Sequence, residues 1–231
     1  MSKQSYKAVF FDLDHTLWDY HRNSQETLSF LFERDLPENG SSIQEMIDIF
    51  VGYNDQTWAE YHRGEIKQSE IRALRFKRFL DHFGWYSEEL AEQFSNNYVE
   101  LGPKQKHLLP GTLEILDYLK QNYRLSIITN GFEEIQHQKV QNSGLTSYFE
   151  EIITSEKVGI KKPDRGIFEY ALNQFDVTPE EAIMIGDNLN TDIQGALNAG
   201  IDAVYFDPEN ATGESNATHA ISSLLELKNI L

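Results

Sequence analysis

The chain has 231 residues, of which 40% are apolar and 12% aromatic, a balance that supports a buried interior and excludes a low-complexity or fibrous protein. A formal charge of −17 repels nucleic-acid backbones at long range and argues against binding of a DNA or RNA polymer. Without cysteine there is no disulfide scaffold, thiol nucleophile or thiolate metal site; without an apolar run near the ~20 residues that cross a bilayer, or a signal-like start, the expectation is a cytoplasmic monomer or homodimer with no membrane partner.

Residues 8–11 form a continuous apolar run that stops at Asp12, the pattern of a strand buried on both faces. From residue 18 to 108 strand-like runs disappear and helical spacing takes over, as in Ile43, Met46, Ile47 and Phe50. Ser24 and Ser87 are candidate helix caps there, and Pro37-Glu38-Asn39-Gly40, Gly64 and Gly102-Pro103 punctuate the segment. Residues 18–108 are therefore expected to form an all-helical cap domain inserted into an α/β core built from 1–17 and 109–231.

In that core, Leu113, Leu116 and Leu119 predict a helix over 111–121, followed by a strand at 125–129 and a helix over 132–143 that Gly144 stops. Further apolar runs at 152–154, 182–185 and 203–206 read as strands, and the capping pattern Thr178-Pro179-Glu180-Glu181 predicts a helix start. Residues 207–219 read as a polar loop before a short final helix. Strands alternating with helices predict right-handed crossovers and a Rossmann-like, doubly wound parallel sheet.

Four short patterns stand at strand ends. Asp12 and Asp14 point to the same side of an extended segment, so two carboxylates emerge together at the carboxyl edge of a buried strand, where open parallel sheets bind ligands. By itself this pair also reads as a solvated turn. Thr129-Asn130-Gly131 offers a hydroxyl and amides at a helix start, suited to phosphate or to an ordinary turn. Lys162 before Pro163 is held extended, and alone reads as a solvated charge. Gly186-Asp187-Asn188-Leu189-Asn190-Thr191-Asp192 places two more carboxylates past a buried strand. A calcium loop does not fit, because Leu189 stands in its third position, its sixth is not glycine, and Asn198 falls where a bidentate glutamate belongs.

Taken in order, Asp-x-Asp-x-Thr from Asp12 to Thr16, Thr129-Asn130-Gly131, Lys162-Pro163 and Gly186-Asp187 with Asp192 resemble the haloacid dehalogenase-like hydrolase superfamily over the whole chain. The helical insert resembles that superfamily's first cap type. The segment from Phe10 to Trp18, Thr129 to Phe132, and Ile167-Phe168 are similar to bacterial pyrimidine 5′-nucleotidases that clear unwanted pyrimidine monophosphates. His15 stands where aspartate is common and Asn188 where serine or threonine is common, departures that loosen the substrate more than the mechanism.

The resemblance implies a phosphomonoester hydrolase in which Asp12 attacks phosphorus and Asp14 protonates the leaving oxygen, then activates water. It implies Mg²⁺ on Asp12, Asp187 and the Asp14 carbonyl, with Asp192 and Asn188 ordering that shell. Thr129 and the amides of Asn130 and Gly131 are expected to hold the phosphoryl oxygens, and Lys162 to offset their charge. In the insert, the turn holding His62 and Arg63 is expected to touch a small phosphorylated substrate such as a nucleoside monophosphate. The alternatives are a sugar-phosphate phosphatase, a phosphomutase, or a non-catalytic phospho-aspartate signalling protein. Dehalogenation is disfavoured, because a halide leaves without the proton that Asp14 would supply.

Overall fold

The computed structural model describes residues 6–37, 40–209 and 215–231, so Glu38 and Asn39 of the expected turn lie outside the described residues. The chain divides into two compact units, one built from residues 1–20 and 106–231 and the other from 21–105.

The first unit is a six-stranded parallel sheet in the order β3-β2-β1-β4-β5-β6. The strands are β1 (Ala8–Phe11), β2 (Arg124–Thr129), β3 (Glu151–Thr154), β4 (Ala182–Gly186), β5 (Asp202–Phe206) and β6 (His219–Ile221). Alternate residues explain the continuous apolar runs. Val9 and Phe11 join Ile127, Ile185 and Val204 in the core on one face, while Ala8 and Phe10 join Ile128, Met184 and Ala203 on the other. Chain order reverses direction between β1 and β4, which are in register through Phe11 and Ile185. The carboxyl ends of those two strands therefore flank the topological switch point where such sheets bind ligands.

Among the described residues the second unit holds four α-helices, α1 (Tyr20–Asp35, whose first residue belongs to the first unit), α2 (Ile43–Arg63), α3 (Gln68–His82) and α4 (Glu88–Leu101), the last followed by a 3₁₀ turn over Gly102–Lys104. Its interior is rich in phenylalanine, with Phe32 and Phe79 stacked at 4.7 Å and Phe50, Phe76 and Phe94 around them. Ser42 and Glu45 close a capping box at the start of α2, and Gly64 ends that helix at φ 79, a conformation glycine adopts without strain. Ser87 caps α4 by accepting from Leu90 N–H. The remaining helices belong to the first unit: α5 (Thr112–Leu119), α6 (Glu133–Asn142), α7 (Ser155–Val158), α8 (Arg165–Phe175) and α9 (Gln194–Asn198).

Three expectations are corrected. Ser24 does not cap a helix: α1 begins earlier, and Ser24 is buried inside it with its hydroxyl 2.9 Å from Tyr98 Oη. The Thr178–Glu181 capping box forms but closes only a 3₁₀ turn, because the buried run of β4 begins at Ala182 and leaves no length for a helix. The expected loop over 207–219, of which 210–214 lie outside the described residues, runs into β6 at His219, a strand that the sequence reading lacked, and the final helix is a 3₁₀ segment over Leu224–Asn229.

Candidate active site

Asp12 follows β1 directly, and its N–H donates to Ile185 O at 2.9 Å, so the sheet ladder itself fixes where the side chain emerges. Beyond it the chain turns tightly, with Leu13 O accepting from Leu17 N–H and Trp18 N–H. His15 takes a left-handed φ of 63 in this turn. Thr16 then reaches across the switch point and donates its hydroxyl to Asp187 Oδ1 at 2.9 Å, joining the end of β1 to the end of β4.

Lys162 binds these pieces together. Its ammonium lies 2.6 Å from Asp12 Oδ1 and 2.7 Å from Asp192 Oδ1, and it donates to Ile128 O at 2.6 Å. Asn130 holds the lysine backbone reciprocally: Lys162 N–H donates to Asn130 Oδ1 at 2.8 Å, and Asn130 Nδ2 donates to Lys162 O at 3.0 Å. The Asn130 side chain thus orients the lysine, in addition to the backbone amide role expected of this residue. Gly131 N–H donates to Thr129 Oγ1 at 3.1 Å, which folds the Thr-Asn-Gly turn onto its own hydroxyl.

Asp12, Asp187 and Asp192 each present a carboxylate oxygen within 4.8 Å of the others. Burial pushes the Asp12 pKa well above its ordinary value, outweighing the pull of Lys162. Asp187 is pushed up to about 7, by burial first and Asp192 second, against the lowering effect of the Thr16 hydroxyl. Burial alone would depress Lys162, but Asp12 and Asp192 prevail and hold it above the usual lysine value. Three clustered carboxylates against one ammonium are short of positive charge, and their hard oxygen donors suit a small divalent cation.

The three are not equivalent. Asp192 Oδ1 accepts from Lys162, and Oδ2 accepts from Asn188 N–H at 3.1 Å, so its oxygens already have protein partners. Asp12 retains an oxygen with no hydrogen-bond donor among the described residues, and Asp187 accepts only from the Thr16 hydroxyl and its own backbone N–H. Asn188 Oδ1 caps the following π-turn, accepting from the N–H groups of Asn190 and Thr191, a role that serine or threonine fills equally well. Gly186 is required by this packing, since a Cβ there would lie 2.4 Å from Asp192 Oδ2.

The Asp14 carboxylate lies outside this cluster. Its oxygens meet Lys139 Nζ at 2.6 Å and Gln136 Nε2 at 3.0 Å. Both partners escaped the sequence reading; their signal was a spacing of three on the helix that follows Thr-Asn-Gly, which puts them on one face. His62 and Arg63 end α2 in the second unit, where Arg63 forms a forked pair with Glu65 at 2.7 and 2.9 Å and the His62 ring lies 5.9 Å from Trp58.

Comparison with known proteins fits this arrangement. Residues 9–206 match the family model of the haloacid dehalogenase-like hydrolases. The chain is 33% identical to the pyrimidine 5′-nucleotidase PynA of Streptococcus pneumoniae, over 98% of this chain and 97% of that one. It is 32% identical to a ribulose-1,5-bisphosphate 5-phosphatase of Halopiger xanaduensis, over 97% and 98%. The magnesium-bound crystal structure of the HAD-hydrolase YfnB from Bacillus subtilis superposes with a TM-score of 0.89 at 27% identity, covering 98% of this chain and 99% of that one. A switch-point aspartate clasped by a buried lysine, on a sheet of this order and with this kinship, makes the chain a member of the haloacid dehalogenase-like hydrolases and a phosphoric monoester hydrolase.

Proposed function

We propose that the chain is a Mg²⁺-dependent 5′-nucleotidase that removes phosphate from pyrimidine nucleoside monophosphates in the cytoplasm, through an aspartyl-phosphate on Asp12. The observation that carries the mechanism is the Asp12 carboxylate at the switch point, one oxygen paired with Lys162 and the other left for chemistry. Bound Mg²⁺, held by Asp12, Asp187 and the Asp14 carbonyl and ordered through Asp192 and Asn188, would draw the carboxylate charge away from an incoming phosphate and polarise its oxygens.

Asp12 attacks phosphorus, the ester P–O bond breaks, and Asp14 gives its proton to the departing alkoxide. Asp14 then takes a proton from the water that attacks the same phosphorus. The Asp12–phosphate bond breaks, releasing inorganic phosphate and restoring both carboxyl groups. Lys162 balances charge as it gathers between Asp12 and the phosphoryl group, and Thr129 offers its hydroxyl to a phosphoryl oxygen.

The pyrimidine assignment is supported by the likeness to PynA over nearly the whole chain and by the Phe10 to Trp18 and Thr129 to Phe132 segments. Phosphate release from a panel of nucleoside monophosphates and sugar phosphates tests it. Preference for UMP, CMP or dTMP is expected; a clear preference for a sugar phosphate removes the nucleotidase reading and leaves the Asp12 chemistry standing.

A further inference from the structure

Helix α6 sends two side chains, one turn apart, onto Asp14. Lys139 Nζ lies 2.6 Å from Oδ1, while Gln136 Nε2 donates both to Oδ2 at 3.0 Å and to Thr129 Oγ1 at 2.7 Å. Both side chains are buried. The Lys139 ammonium sits 4.3 Å from the Trp18 ring centroid and 5.6 Å from that of Tyr20, and Trp18 itself pairs with Asp14 through a backbone bridge. Lysine on an acidic protein ordinarily leaves its amine in water. This one is stripped of water, boxed by two aromatic rings, and directed at a single carboxylate.

The cost of that arrangement points away from a purely structural role. Asp14 keeps about a quarter of its side chain exposed, at 23%, so water alone could satisfy it. Burying the ammonium to reach it gains little stability, because desolvation offsets most of the attraction. Gln136 Oε1 is buried with no hydrogen-bond partner among the described residues, so the amide is committed to donating toward Asp14 and Thr129 at the expense of its own carbonyl. Such costs are retained where orientation matters. Bonds to both oxygens leave the Asp14 carboxyl group one orientation, and the shared Gln136 nitrogen ties that orientation to Thr129.

We infer that Lys139, with Gln136 as its second arm, is the positioning residue for Asp14, holding the carboxyl group in one orientation beside the Thr129 hydroxyl. The inference rests on the reading of Asp14 as the acid for the leaving oxygen, and the test separates the two. kcat/KM is measured for Lys139→Met, Lys139→Arg and Asp14→Asn, each on a nucleoside 5′-monophosphate and on p-nitrophenyl phosphate. The first ester leaves as an alkoxide that needs a proton, whereas nitrophenolate departs without one.

Lys139→Met is expected to lose on the order of 100-fold on the nucleotide, the size of effect that a misplaced catalytic group produces. It should retain its kcat/KM on the aryl ester, because that ratio reports the first displacement and not the later attack of water that Asp14 also assists; this also shows that the variant folds, and Lys139→Arg should restore most of the kcat/KM on the nucleotide. Equal loss on both esters, or no loss on either, in Lys139→Met while Asp14→Asn discriminates between them overturns the positioning role and leaves Asp14 as the acid. Absence of discrimination in Asp14→Asn overturns the acid assignment, and this inference with it.

Discussion

Replacing Lys162 with methionine isolates what holds the site together. The side chain is 2% exposed and its ammonium serves Asp12, Asp192 and Ile128 O, all within 2.7 Å. Methionine preserves most of the volume but leaves buried carboxylates facing one another without their cation. Removing one partner of a buried ion pair costs about 3–5 kcal/mol. For a chain of this length each kcal/mol is worth roughly 2–4 °C, so the melting temperature should fall by about 10 °C in EDTA at pH 8. The deficit should shrink toward pH 5, because the carboxylates left behind can then take up protons and shed the repulsion. Thermal unfolding followed by circular dichroism at both pH values reads the effect. A drop of less than about 2 °C at pH 8, or one that does not depend on pH, would refute the reasoning that Lys162 neutralises this cluster.

Further outcomes follow from the same geometry. Asp187 has a folded-state pKa pushed up to about 7 against an ordinary 3.8, so it binds its proton more tightly in the folded state. In cation-free protein its contribution to stability is full below about pH 4 and is lost as pH rises through about 7, while Mg²⁺ affinity rises over that same window as the competing proton leaves. Titration calorimetry in buffers of different ionisation enthalpy should detect proton release on binding at pH 6 and little at pH 8; equal release at both would contradict the assignment. Gly186→Ala would force Asp192 aside, since the new Cβ lies 2.4 Å from its Oδ2, and should lower kcat/KM by on the order of 100-fold. Wild-type activity in that variant would show that the Asp192 position is not critical. The substrate contact that the sequence resemblance implies for Arg63 is tested separately: a raised KM for the preferred nucleotide in Arg63→Ala, with little change in melting temperature, supports it, and identical kinetics across several substrates would count against it.

Much of the core was legible because the strands advertise themselves. β1 and β4 are buried on both faces and read as unbroken apolar runs, β2 is buried from Leu125 on with only Ser126 interrupting its apolar residues before Thr129, and the ends of the three carry the acidic and Thr-Asn-Gly motifs. β6 was not legible, since only Ile221 of its three residues is buried and a single apolar position has no period. Ser24 misled because a residue type suited to capping is used here for a buried bond to Tyr98, a partner 74 residues away. The Thr178 box misled differently: its local chemistry forms as written, but the strand that follows sets the length available.

The site divides along the same line. Asp12 and Asp192 stand in recognisable motifs that follow β1 and β4, while the Lys162-Pro163 motif, expected at a strand end, lies beyond α7; folding brings Lys162 within hydrogen-bond reach of both aspartates. Lys139 carries no such mark. On an acidic chain, a helical lysine reads as a solvated charge, and its partner Asp14 lies 125 residues upstream. Nor did the sequence disclose that the Asn130 side chain clasps the backbone of Lys162, because that requires knowing that the ends of β2 and the segment before α8 meet.

The central claim is that Asp12 carries the phosphoryl group between two displacements. Acid quenching within the first turnover on ³²P-labelled nucleotide, followed by peptide mapping, tests it directly. Label on the peptide containing Asp12, formed and discharged at rates matching turnover and absent in Asp12→Asn, is the expected result. Phosphate appearing at the full rate with no labelled polypeptide at any time would mean that water attacks the ester itself, and would contradict the account.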